Sequence, residues 1–169
     1  TNLILQTDAS LANTSSVAIG SLDLNGHALA TSMGLTINEA LILDASGEQL
    51  LTGISDLTLK DSLVISNGTL SSTSGTISFD STVSLGAAGT IDIQGGELHV
   101  NGNVSVDGGT LTLADSSKLK LNNDVTVASN KALSFGTLEM NNRNLTFTAS
   151  QGADLTLKKA FTLDNSSTL

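Results

Sequence analysis

Two histidines, sixteen acidic residues and seven bases are the side chains here that could bind metal, move protons or hold a charged ligand. His27 follows Asn25-Gly26 in a turn-like run, and His99 is the middle residue of Leu98-His99-Val100. Neither has partners at zinc-ligand spacing. Cysteine is absent, which removes thiolate nucleophiles, thiolate metal ligands and disulfides. Asp80, Asp107 and Asp124 sit in corner-like runs and carry the oxygen ligands calcium prefers. However, the sequence holds neither an EF-hand loop nor a recurring glycine-rich nonapeptide. Asp23 and Asp92 could act as a glycosidase pair only on one shared face, and no Gly-x-Ser-x-Gly elbow occurs. No catalytic residue, metal ligand or cofactor is assigned, and the chain is expected not to be an enzyme.

The candidate residues that remain depend on the elements that carry them. Apolar-polar-apolar triplets recur throughout, each marking a short strand with two side chains on one face. Leu63, Val83, Val104, Val125 and Leu145 are spaced 20, 21, 21 and 20 residues apart. Leu57, Ile77, Leu98, Leu119 and Leu138 follow at 20, 21, 21 and 19, and Ile91, Leu111, Leu133 and Leu155 at 20, 22 and 22. Three short strands per repeat of that length predict an all-β, single-stranded parallel β-solenoid (β-helix) of roughly eight coils. Residues 54–169 read as regular coils and 1–53 as a less regular part of the same single segment 1–169, expected to belong to a longer chain. In the front part the third series offers mainly single apolar residues, Leu11, Leu29, Leu50 and Leu70. The run "NEALILDASGEQLL" (38–51) is the best helix candidate, but its Leu41-Ile42-Leu43 falls on the solenoid period.

That register puts two polar rows on the page. The residue after each second-series strand is Asn38, Asp80, Asn101, Asn122, Asn141 and Asp164 in six coils, with Gly20 and Lys60 in the others. Asn and Asp tolerate turn backbone angles, and stacked amides can bond along the axis, so these six form a predicted corner ladder. The outward residues of the same strands run Thr36, Thr58, Ser78, His99, Lys120, Glu139 and Thr162. His99, Lys120 and Glu139 are therefore a candidate surface strip, with Lys120 and Glu139 as neighbours one coil apart. A Thr-x-Thr ice-binding face is not built, because Thr110/Thr112 and Thr146/Thr148 fall on different faces. Asn-x-Ser/Thr sequons occur at Asn13, Asn67, Asn103, Asn144 and Asn165.

The net charge of −9 argues against nucleic acid or anionic lipid as partner. There is no run of eighteen apolar residues, so membrane insertion by a helix is not expected. Proline, tryptophan and tyrosine are absent, so the interior must be filled by Leu, Val, Ile, Ala and four phenylalanines.

The runs "SNGTLSSTSGTISF", "GGELHVNGNVSVDGGTLTLADSSKL" and "NRNLTFTASQGADLTL" resemble the repetitive passenger regions of bacterial autotransporters and other large secreted adhesins. The resemblance is one of rhythm and composition over residues 54–169. It implies right-handed parallel coils forming a secreted or surface-displayed stalk for adhesion or matrix formation. The expected function is an extracellular structural or adhesive rod segment. The alternatives are a filament subunit stacking end to end and a carbohydrate-binding or carbohydrate-cleaving β-helix. Expected partners are flanking repeats, copies of the chain, or a surface glycan or protein.

Overall fold

The structure, a computed structural model, describes residues 1–12, 15–53, 55–149, 154–159, 161 and 168. All described elements are strands, every strand pair is parallel, and the chain winds through three faces per coil. The predicted parallel β-solenoid is the observed fold.

The second face is the continuous one. Its seven strands run from Val17–Ile19 through Leu35–Ile37, Leu57–Leu59, Thr76–Phe79, Glu97–Val100 and Lys118–Leu121 to Thr137–Glu139. Val17, Leu35, Leu57, Ile77, Leu98, Leu119 and Leu138 stack in one column. Each inward side chain meets its like one coil away, and all of these but Val17 are buried. Parallel strands closed into a coil can bury only one side, so strict alternation of apolar and polar residues suffices to orient them.

The first and third faces are joined for part of the length, because Leu63–Ser72 and Val83–Ile93 each run through the corner as single strands. That corner is so tight that a Cβ on Gly89 would lie 2.1 Å from the Ile65 carbonyl oxygen. In the front coils the third face continues through Ala9, Leu29, Leu50, Leu70 and Ile91. Its second inward column explains the single apolar residues there: Leu11 begins it and so does not stack on Leu29, and Thr31, Thr52 and Ser72 occupy it before Ile93 and Leu113 take over. These hydroxyls are buried but paired: Thr31 Oγ1 donates to the Met33 carbonyl at 3.0 Å and Ser72 Oγ to the Ser74 carbonyl at 2.7 Å. Each thereby ties off the corner that follows its strand.

One expectation changes, and the solenoid period holds over the helix candidate. Val104 pairs with Val127, not with Val125, so Ser105 faces Ala128 and Val106 faces Ser129. The run Val125-Thr126-Val127-Ala128-Ser129 offers two inward pairs, and the backbone takes the second. Asn103 Oδ1 fills the resulting offset by accepting the Thr126 N–H at 2.9 Å. In 38–51 the chain forms strands Leu41–Leu43 and Gln49–Thr52 around a turn, and no helix.

Candidate functional site

The strip on the second face is wider than the sequence reading. His99, Lys120 and Glu139 stack in register with Ser78 before them, as expected. Beside them runs a second outward column, Thr76, Glu97, Lys118 and Thr137, two residues earlier on each strand. The two columns interlock diagonally. His99 Nε2 lies 2.8 Å from Glu97 Oε2, and Lys118 Nζ reaches Glu97 at 2.9 Å and Glu139 at 3.1 Å. Lys120 Nζ is 3.3 Å from Glu139. Glu97 and Lys118 are thus the centre of a five-residue lattice over three coils. The signal that finds them is strand parity, since a residue two before an outward residue is also outward.

These contacts shift the titration of the groups they join. The hydrogen bonds from His99 and Lys118 bring the Glu97 carboxyl from 4.5 to about 2, against the opposing effect of partial burial. Glu139 is also lowered, chiefly by Lys118 and then, after the opposing effect of burial, by Lys120. Lys118 is raised by Glu97 first and Glu139 second. All five side chains retain between 21% and 37% exposure, so water screens them and the lattice is a surface network. Its opposite charges largely neutralise one another. Among the described residues no group of three or more His, Asp or Glu is placed to hold a metal.

The corner residues divide. Asn38 Nδ2 donates to the Ile19 carbonyl at 2.8 Å and Asn141 Nδ2 to the Leu121 carbonyl at 2.9 Å, each one coil back. Asn101 Nδ2 donates to Asp80 Oδ1 at 2.8 Å, and Asp80 also receives Lys60 Nζ at 2.7 Å. The buried Asn101 Oδ1 has no partner among the described residues. Asn122 is exposed, and it is Asn123 that reaches back to the Asn101 carbonyl, at 3.3 Å. Asn141 has φ 51°, the left-handed backbone this residue type tolerates. Asp164 lies outside the described residues. His27 stands 3.6 Å from Asp8 and shares nothing with His99.

A further tie, unread in the sequence, is Glu48. It is 4% exposed, and its carboxylate accepts the N–H groups of Asp44 at 2.7 Å, Ala45 at 3.0 Å and Gly26 at 3.2 Å. One side chain thereby closes its own turn and fastens it to the turn before it.

Among the described residues two places lack a ladder. On the first face none joins Leu22–Asp23 to Leu41–Leu43, and a cleft of about 320 Å³ lined by Asp23, Ala40, Ile42 and Glu48 lies there. On the third face Thr110–Leu113 pairs back to Val83–Ile93 and Leu133–Phe135 only onward to Leu155–Leu157. Between them lies a cleft of about 220 Å³ lined by Thr110, Thr112, Lys131, Ala132 and Ser134. Asp23 and Asp92 are on different faces, the first and the third. The arrangement is built to connect coil to coil. No protein-family model, curated protein or solved structure matches the chain.

Proposed function

We propose that this chain is a structural or adhesive rod segment of a secreted or surface-displayed protein, of the kind that autotransporter passengers and large adhesins represent. The observation that carries the reading is the second face, seven parallel strands in unbroken register along one axis. A solenoid of this kind sets distance, because each coil adds one interstrand spacing and touches only its neighbours. The corner amides and the charged lattice add side-chain ties in the same axial direction. An acidic exterior of −9 keeps such rods apart in solution. No reaction is assigned to it, and its partners are neighbouring repeats and the surfaces the rod meets.

The test is a distance measurement. The chain has no cysteine, so Thr36→Cys and Thr137→Cys introduce two unique spin-label sites on the second face. Five interstrand steps separate their rungs, about 24 Å. Pulsed electron resonance should give one narrow distance near that value at low salt. A distribution as broad as that in urea would overturn the rod reading.

A further inference from the structure

We propose that the junction between the coil 97–113 and the coil 118–135 is a salt-sensitive release point built into the rod. Elsewhere in the middle of the chain a coil junction is closed on all three faces. Leu63–Ser72 pairs with Val83–Ile93 along both the first and third faces, and Leu57–Leu59 pairs with Thr76–Phe79 on the second. At the proposed junction the third face has no ladder, and the first-face ladder is displaced by two residues, Val104 meeting Val127. Only the second face crosses it in the regular register.

Polar ties surround that gap. At the corner before it, Asn130 Oδ1 accepts the Gly108 N–H at 3.0 Å and Asn130 Nδ2 donates to Asp107 at 3.3 Å. At the corner after it, Lys158 Nζ reaches Asp115 at 2.9 Å. That ion pair skips a whole coil, because the Lys158 N–H bonds the Phe135 carbonyl in the coil between. On the second face Glu97–Lys118 crosses the same junction, and Lys118–Glu139 carries the chain of charge to the next. One ion pair, Lys158–Asp115, thus stands beside the missing ladder, while Glu97–Lys118 reinforces the face whose ladder is intact.

Backbone ladders and buried Leu columns are insensitive to simple salt, whereas exposed ion pairs are screened by it. Raising the ionic strength therefore weakens this junction selectively. Its third face opens first, widening the gap between Thr110–Leu113 and Leu133–Phe135 and loosening each on the one neighbour it pairs with, while the second face holds the coils in line. The device gives the rod one yielding coil whose set point is ionic.

Hydrogen exchange read by mass spectrometry on the full chain tests this, from about 0.01 M to about 1 M sodium chloride, which shortens the Debye length from about 30 to about 3 Å. Exchange in Thr110–Leu113 and Leu133–Phe135 should accelerate about threefold to tenfold, the yield of two or three exposed pairs. Exchange in Thr76–Phe79 should stay unchanged. Lys158→Met at low salt should reproduce the acceleration, and Lys60→Met, which breaks the Lys60–Asp80 pair elsewhere, should not. A uniform response along the chain, or no response in 110–135, overturns the proposal. If Lys158→Met does not fold, the salt comparison on the unaltered chain decides alone.

Discussion

Replacing Glu48 measures how much one buried carboxylate contributes to a solenoid corner. Glu48→Ala removes the acceptor of three backbone N–H groups, those of Asp44, Ala45 and Gly26. A hydrogen bond to a charged group contributes about 1.5–3 kcal/mol, and a donor left dry costs about 1–3 kcal/mol. Asp44 and Gly26 are exposed, so water takes over part of their demand, while Ala45 is half-buried. The expected loss for Glu48→Ala is therefore about 2–4 kcal/mol, well below the sum of three full bonds. Glu48→Gln keeps one carbonyl acceptor but turns an NH₂ toward an N–H, and should cost about 1–2 kcal/mol. The chain has no tryptophan or tyrosine, so urea unfolding is followed by far-ultraviolet circular dichroism. Glu39→Ala, which removes an exposed carboxylate, controls for the change in net charge and should stay within about 0.5 kcal/mol. If Glu48→Ala falls within that same range, or Glu48→Gln costs as much as Glu48→Ala, the three-bond account is refuted.

Gly89→Ala should destabilise by about 3 kcal/mol or prevent folding, because its Cβ meets the Ile65 backbone oxygen; soluble yield and the urea midpoint check this. Phe135→Ala, in a fully buried position beside Leu119 and Val127, should cost about 3–5 kcal/mol in the same unfolding assay. The Glu97 carboxyl is lowered on folding, so its contribution is complete above about pH 4.5 and fades as the pH falls toward about 2. Lys118 is raised, so its contribution is complete below 10.5 and fades as the pH climbs past its folded value. Unfolding midpoints across pH should show both losses, each about 1 kcal/mol or less at this exposure, and Glu97→Gln should reduce the acidic one to the share that Glu139 carries.

The fold was legible because a solenoid writes its period directly into the chain. Leu57, Ile77, Leu98, Leu119 and Leu138 stack as their spacing implies. The slip at Val127 was hidden because Val125, Val127 and Ser129 are all acceptable inward residues, and spacing favours the regular choice. The front third face was obscured because Thr31, Thr52 and Ser72 fill inward positions with hydroxyls, which Thr31 and Ser72 satisfy in the following corner and Thr52 at the Ser71 carbonyl one coil on. In the candidate site the Lys120–Glu139 neighbours were readable from register alone. Glu97 and Lys118 were missed by tracking a single outward row. Glu48 could not be found by periodicity, because its role belongs to a turn and depends on a glycine one coil away.

A two-residue slip at Val104–Val127 leaves apolar side chains inward and polar ones outward, whereas a slip of one would turn the strand inside out. Growth and loss in such a chain are therefore quantised. Whole repeats can be copied or excised because each coil speaks only to its neighbours, and a corner can absorb an extra residue, as between Ile65 and Asn67, but a single insertion between two inward residues of a strand would invert it. The lineage of this chain would then record itself as lengths near twenty and twenty-one with occasional excesses of two. The coil that ends at Val127 carries such an excess, since Val104 pairs 23 residues on where Val83 pairs 21 residues on.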